Sequence, residues 1–449
     1  MRKRLFGLLY LSLFATLGFG QSVEQSTIQH LKGYWKGAFI KGNAQQSFEI
    51  RYYESDSTLY SLQTMEEWHP QFGEFQIPVT VDSTGIIRMN TGYGKVVLTL
   101  DSNNLEIIGF VEDVQPTMNV HLKKVPPPPS PNYTIKAVSI ENGPIQLKGH
   151  LHIPKMASET AIIIVGGRGC YAGNTQFDLY AKVLRRYGIT VLVYNKRGTG
   201  LSTGDCDFAT ISDLADDLIA CKRYLESHPN KYTKVGVLGS SAGGWVMTKA
   251  QESTDFDFMI SMVGPATSVK EQQLQSMEYG AAFYELPKKV VQNIETYTRL
   301  MLDADATPAN FKKFQALLAK AEKENWKQLL EDTDIPANTA DIANLWVQRH
   351  AYDPTEVLKK YNHPFLAIYG GIDWIVPAKE NIAELEAAFS NERNSLLRTA
   401  IAHNAEHGTE VKNEHITLAE YKSYWHFFRI SPQVLIEIVE FLRDNQFIE

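Results

Sequence analysis

Residue types that cooperate in nucleophilic catalysis occur in this chain beside turn-forming glycines, at the ends of apolar runs. The stretch Lys234 to Trp245 reads KVGVLGSSAGGW and contains G-x-S-x-G at Gly239-Ser240-Ser241-Ala242-Gly243. This spacing suits a strand that turns sharply into a helix. The central Ser is held in a strained backbone conformation, and Gly on either side removes the Cβ clashes. The Ser241 hydroxyl then stands at the C-terminal edge of a sheet, over a helix N-terminus whose free N–H groups can stabilise an oxyanion. A plain Gly/Ser turn is the alternative, and the apolar run before it and the helix-compatible residues after it favour the elbow.

A hydroxyl is a weak nucleophile until imidazole takes its proton, and a carboxylate must hold that ring in the right tautomer. Asp373 supplies a carboxylate just after the run Pro364 to Tyr369, in Gly370-Gly371-Ile372-Asp373. A turn-stabilising Asp is its other reading. The run Leu396 to Ile401 leads into His403-Asn404-Ala405-Glu406-His407-Gly408, so two histidines compete for the base. His407 is preferred, because Gly408 allows a tight turn that aims the ring back at the Ser. A third loop, Gly166-Gly167-Arg168-Gly169, could bring backbone N–H groups close to a substrate. The Arg168 N–H, with Gly167 as the alternative, and the Ala242 N–H are the candidate oxyanion donors, while a plain Gly-rich turn would need neither. Arg197, in the loop Asn195 to Ser202, is read as tying loops together. His69, His150, His152 and His363 are read as surface or packing residues. No metal-ligand spacing is visible, and this chemistry requires no cofactor.

The elements that must position these groups follow from hydropathy. From Tyr133 onward, Thr134 to Ile140 and Ile145 to Ile153 form a strand pair around the turn Glu141-Asn142-Gly143-Pro144. Buried runs at Ala161 to Val165, Thr190 to Tyr194 and the elbow strand then alternate with helices around Gln176 to Tyr187 and Ile211 to Ser227. That alternation predicts an α/β domain with a mostly parallel sheet covered on both faces, its ligand beyond the strand C-termini. After Phe258 to Val263 roughly a hundred residues pass before the next strand. Helical segments around Val269 to Gly280, Pro287 to Leu302, Pro308 to Leu330 and Thr339 to His350 fill them, and a helical cap over residues 268–361 is expected, a lateral appendage being the alternative.

Ahead of this domain, short period-two runs between turn signals from about Lys32 to Val125 predict a small all-β sandwich or barrel over residues 21–125. Its aromatics Tyr34, Trp68 and Tyr93 could line a ligand groove or simply pack. Val125 to Pro131 reads VPPPPSP, so residues 126–131 form a stiff linker. Residues 132–449 are expected to form the α/β domain. With 449 residues, two or three folding units are expected. The net charge of −7 includes no basic block of the kind that binds nucleic acid. At the N-terminus, Arg2-Lys3-Arg4 precedes an apolar run from Leu5 to Phe19 that is short for a membrane span. Residues 1–20 read as a signal peptide cleaved near Gly20, with no Cys at that point to carry a lipid anchor, which implies a periplasmic or extracellular protein. Of three cysteines, Cys221 falls on a buried helical stripe, while Cys170 and Cys206 sit in loops at one sheet edge and are a possible pair. The sequence leaves the oligomeric state open.

The region from about Tyr133 to Glu449 resembles the α/β-hydrolase superfamily, in particular secreted esterase-like members of the serine aminopeptidase-like group. The matching stretches are Tyr194 to Gly200 with Ser202, Ile211 to Leu225, Gly239 to Gly243, Tyr352-Asp353-Pro354, Pro364 to Asp373 with Val376-Pro377, and Ala405 to Gly408. Ser241, Asp373 and His407 follow the chain order of that superfamily. Asn195 stands where its loop commonly has Asp, and Arg168 and Cys170 stand where relatives often carry Ser and Pro. The resemblance implies hydrolysis of a small ester or acyl substrate through an acyl-enzyme. An aminopeptidase or amidase with the same triad is the second reading, with Glu271, Glu278 and Glu285 as candidates to hold an α-amine. A glycan- or lipid-binding protein on a non-catalytic hydrolase scaffold is a reading of another class.

Overall fold

A computed structural model describes residues 23–42, 44–65, 75–91, 94–171, 175–230, 232–411, 427 and 429–449. The proposed signal peptide, His69, Trp68 and Tyr93 lie outside the described residues. The chain divides into two compact units: Met1–Pro131 with Lys412–Arg429, and Asn132–Val411 with Ile430–Glu449. Among the described residues no helix is long and apolar enough to cross a membrane.

In the first unit the period-two runs become β1 (Gly33–Lys41), β2 (Ala44–Ser55), β3 (Thr58–Met65), β4 (Phe75–Val81), β5 (Ile87–Asn90), β6 (Lys95–Asp101), β7 (Glu106–Val111) and β8 (Met118–Val125). Each pairs antiparallel with the next, and β8 returns to β1, so the sheet closes into a barrel. Closure resolves the choice between sandwich and barrel and removes the free edges that an open sheet would present. Trp35, Phe39, Phe48, Ile50 and Tyr52 point inward on alternate positions, and the rings of Phe39 and Phe48 stack at 4.2 Å. Tyr34 instead carries the Arg51 guanidinium over its ring at 5.4 Å. Phe427 is 2 % exposed and belongs to the barrel core. Phe427 thus packs with the barrel's unit although it lies within the stretch 132–449. Hydropathy alone does not say which core an apolar residue joins.

The second unit is built on β9 (Tyr133–Asn142), β10 (Ile145–Pro154), β11 (Thr160–Val165), β12 (Thr190–Tyr194), β13 (Lys234–Ser240), β14 (Met259–Met262), β15 (Phe365–Gly370) and β16 (Leu397–Ala402). Among the described residues the sheet order is β16-β15-β14-β13-β11-β12-β10-β9. The strands from β11 to β16 run parallel, and β9 and β10 add an antiparallel edge. Every residue of β11 (TAIIIV) and of β15 (FLAIYG) is buried, as expected of strands covered on both faces. The helices α1 (Thr175–Arg186), α2 (Ile211–Glu226) and α3 (Gly243–Gln251) alternate with the central strands. Thr210 starts α2 through a reciprocal cap: its hydroxyl accepts from the Asp213 N–H, and the Asp213 carboxylate accepts from the Thr210 N–H.

Between β14 and β15 lie α4 (Val269–Phe283), α5 (Lys288–Asp303) and α6 (Pro308–Lys323), followed by short turns of helix. They share a core of Tyr297, Met301, Phe314 and Trp326, which also takes in Ala242 and Trp245 at the start of α3. Two helices end sooner than the apolar pattern suggests. Asn325 adopts φ 58°, a left-handed stop after α6. The segment around 339–350 breaks at Leu345, whose extended backbone (ψ 142°) separates a 3-10 turn from the helix Trp346–Arg349. The last elements are α7 (Ala378–Ala388), before β16, and α8 (Pro432–Asp444).

Candidate active site

The site is assembled from turns that leave the C-terminal ends of β11, β12, β13, β15 and β16. After β13 the chain reverses at Ser241, which has φ 52°, a left-handed conformation that a side chain normally avoids. The flanking glycines are required by contact. A Cβ on Gly239 would lie 2.6 Å from the Gly243 carbonyl oxygen, and one on Gly243 would lie 2.7 Å from the Val165 oxygen. The Ser241 N–H donates to the Met262 carbonyl at 2.9 Å, and Ala242 enters the helical region as the first turn of α3 begins. Among the described residues no backbone carbonyl accepts the Ala242 N–H.

Ser241 faces His407 across 2.9 Å, from Oγ to Nε2, and His407 Nδ1 lies 2.8 Å from Asp373 Oδ2. The Asp373 side chain is fully buried, and its Oδ1 accepts from the Ile375 and Val376 N–H groups at 2.8 and 3.1 Å. An ionised carboxylate only accepts, so His407 carries its proton on Nδ1 and offers the Nε2 lone pair to the Ser241 hydroxyl. Burial alone would lower the His407 pKa. The charge and hydrogen bond of Asp373, assisted by Glu410 and Glu331, outweigh burial and raise it above the ordinary imidazole value. His403, the competing histidine, is exposed and makes no part of this arrangement. Asn404 and Thr409 adopt φ 59° and 63° on either side of His407, so the turn that aims the ring draws its left-handed residues from there.

These groups open into a cavity of about 400 Å³. Gly167 to Tyr171 form one wall, Trp245, Pro265, Ile375 and Val376 supply apolar surface, and Gln272, Glu331, Asp332, Thr333 and Trp346 come from the excursion between β14 and β15. The helical excursion therefore contributes to the cavity wall. Glu271, Glu278 and Glu285 are exposed and do not line it; among the described residues Glu331 and Asp332 are the carboxylates that do. No sequence signal marked those two, since their position depends on how the excursion folds back.

Gly167 packs against the nucleophile so closely that a Cβ there would lie 2.9 Å from Ser241 Cβ. The Arg168 side chain turns away to Asp334, at 2.7 Å, and to the Thr333 hydroxyl, and stands over the Trp346 ring at 5.0 Å. Cys170 is bonded to Cys206, with the Cα atoms 5.8 Å apart. Arg197 pairs with Asp213 and with the fully buried Asp217, joining its loop to α2. Cys221 is a buried free thiol whose pKa burial pushes well up.

One further set of metal-ligand types comes together among the described residues. His150, His152 and Asp178 place ligand atoms within 4.8 Å of one another. His150 meets Asp178 at 2.8 Å, while Arg185 donates to His152 Nδ1 at 2.8 Å. That bond uses the one lone pair of a neutral imidazole and leaves the proton on His152 Nε2, so His152 offers no ligand to a cation.

The sequence profile of the serine aminopeptidase S33 family matches residues 157–426, more than half of the chain and the part that carries Ser241, Asp373 and His407. The chain belongs to that family. Members of the family share the α/β-hydrolase fold described above. Solved structures that it resembles include an esterase of Pyrococcus furiosus (17 % identity, covering 70 % of this chain and 91 % of that one, TM-score 0.43). Others are a proline iminopeptidase of Mycobacterium smegmatis (16 % identity, 68 % and 100 % covered, TM-score 0.42) and an esterase of Thermogutta terrifontis (17 % identity, 69 % and 98 % covered, TM-score 0.40). No curated protein matches the chain significantly in sequence.

Proposed function

We propose that this hydrolase cleaves carboxylic esters through an acyl-enzyme on Ser241. The observation that carries the proposal is the continuous relay from Ser241 Oγ to His407 to the buried Asp373. Ser241 attacks the carbonyl carbon as His407 Nε2 takes its proton. The oxyanion is held by the N–H groups of Ala242 and Arg168. The imidazolium then protonates the departing alcohol, and the acyl-enzyme is hydrolysed when His407 takes a proton from water and returns it to Ser241. The apolar wall of Trp245, Pro265, Ile375 and Val376 suits an acyl chain. We further infer export through the N-terminal segment, which the Cys170–Cys206 bond supports because such bonds persist in oxidising compartments.

A specific observation favours a second reading. Glu331 and Asp332 give the cavity two carboxylates, which suit a substrate amine and hence an aminopeptidase. A binding protein on an inactive scaffold has less support, since it has no use for an assembled relay. The test is fluorophosphonate labelling of the purified protein, read by intact mass and peptide mapping, with Ser241→Ala as control. One adduct on Ser241, absent from the variant, is expected. Hydrolysis of p-nitrophenyl esters is then compared with that of aminoacyl p-nitroanilides. A folded protein that takes no adduct refutes the proposal.

A further inference from the structure

Lys196 has no role in the relay, yet its ammonium is aimed at the loop beside the nucleophile. Its Nζ donates to the carbonyl oxygens of Gly167 and, at 2.9 Å, Gly169. The ammonium also stands over the Tyr171 ring at 5.3 Å. No carboxylate pairs with it among the described residues, and burial pushes its pKa down to about 8. A buried cation without a counter-ion is costly, and the oriented carbonyl dipoles are what hold this one in place.

Those two carbonyls bear on the oxyanion site through peptide geometry. In a trans peptide the C=O and the following N–H point in opposite directions across one plane. Fixing the Gly167 carbonyl toward Lys196 therefore fixes the direction of the Arg168 N–H, which no backbone carbonyl accepts among the described residues. Gly167 itself lies against Ser241, so this peptide plane borders the nucleophile. The loop is held on both sides as well, by the Arg168 pairing to Asp334 and by the Cys170–Cys206 bond. Neither of those controls rotation of the Gly167–Arg168 peptide, because each acts through a side chain.

We propose that Lys196 is a positioning residue that orients the Gly167–Arg168 peptide and thereby aims the Arg168 N–H at the oxyanion. This rests on the acyl-enzyme reading above. The test compares Lys196→Met, which keeps the stem and removes the donors, with Lys196→Arg, which keeps the charge. Removing one oxyanion donor typically lowers kcat about 10²–10³-fold, and a misdirected donor should cost K196M on the order of 10²-fold. KM for a p-nitrophenyl ester should stay within about threefold, since the contact matters when the oxyanion forms. Inhibition by a trifluoromethyl ketone, whose adduct carries that oxyanion, should weaken in parallel with kcat/KM, and K196R should recover about tenfold over K196M. A K196M protein with wild-type Tm and kcat within about threefold of wild type overturns the assignment. Should K196M fail to fold, Lys196→Gln carries the same criterion. Wild-type protein that neither hydrolyses esters nor takes fluorophosphonate on Ser241 removes the underlying reading instead, so the two failures are distinguishable.

Discussion

Replacing Asp373 by Asn should stop turnover while leaving the fold intact, for a reason the hydrogen bonds make explicit. Asp373 Oδ1 already accepts two backbone N–H groups, from Ile375 and Val376, and Oδ2 accepts the His407 Nδ1–H. An Asn side chain has one acceptor oxygen. It must keep that oxygen toward the two N–H groups and so turns its NH₂ toward His407 Nδ1. Two donors then face each other, and the imidazole relieves the clash by moving its proton to Nε2. Nε2 now presents N–H to Ser241 and cannot accept the hydroxyl proton. Loss of tautomer control of this kind costs about 10⁴ in kcat, or about 5.4 kcal/mol at about 1.36 kcal/mol per decade. The assay is steady-state hydrolysis of p-nitrophenyl butyrate by D373N and wild type, with Tm measured on both. The pH profile adds a second readout. His407 must be neutral to act as base, and its pKa is raised in the folded protein, so wild-type kcat/KM should fall as pH drops through a midpoint above the ordinary value of about 6.5. Removing the Asp373 charge should move that acid limb to lower pH. A D373N protein with unchanged Tm and kcat within tenfold of wild type would refute the reasoning.

Other consequences are open to measurement. Arg168→Met leaves the Asp334 carboxylate, 1 % exposed at its side chain, without its cation; a loss on the order of 3 kcal/mol in chemical denaturation is expected, and an unchanged midpoint would count against the pairing. Removing the Cys170–Cys206 bond, which spans 36 residues, by Cys206→Ser should cost about 3–4 kcal/mol on the loop-entropy estimate, read as a lower Tm that reductant no longer changes. Glu331→Gln separates the two substrate classes. If the cavity carboxylates hold an amine, KM for an aminoacyl anilide rises at least about tenfold while that for a neutral ester is unchanged; equal effects on both would exclude amine recognition by Glu331.

The legible part of this protein lies where chemistry is local. The elbow could be read from five residues because the Gly239 position is constrained by the Gly243 carbonyl only four residues on, although the constraint on Gly243 comes from Val165 on the neighbouring strand. Alternating apolar runs predicted the parallel sheet, and period-two runs predicted a β domain, since each reflects which faces of one element are buried. Strand ends then pointed to the loops that bear Ser241, Asp373 and His407. The rest depended on side chains that meet across the chain. His407 and not His403 reaches Ser241 because the turn after β16 rotates one ring inward and leaves the other exposed. Among the described residues the cavity carboxylates are Glu331 and Asp332, on a turn after α6, while Glu271 and Glu278 on α4 and Glu285 in the turn after it face solvent. Phe427 joined the barrel, Cys170 paired with Cys206, and Lys196 found two carbonyls 27 and 29 residues away in sequence. Residue type and spacing determined which elements form and which groups are chemically suited to act. The tertiary structure decided which of those groups meet, because convergence depends on the relative placement of whole elements, and no local periodicity encodes it.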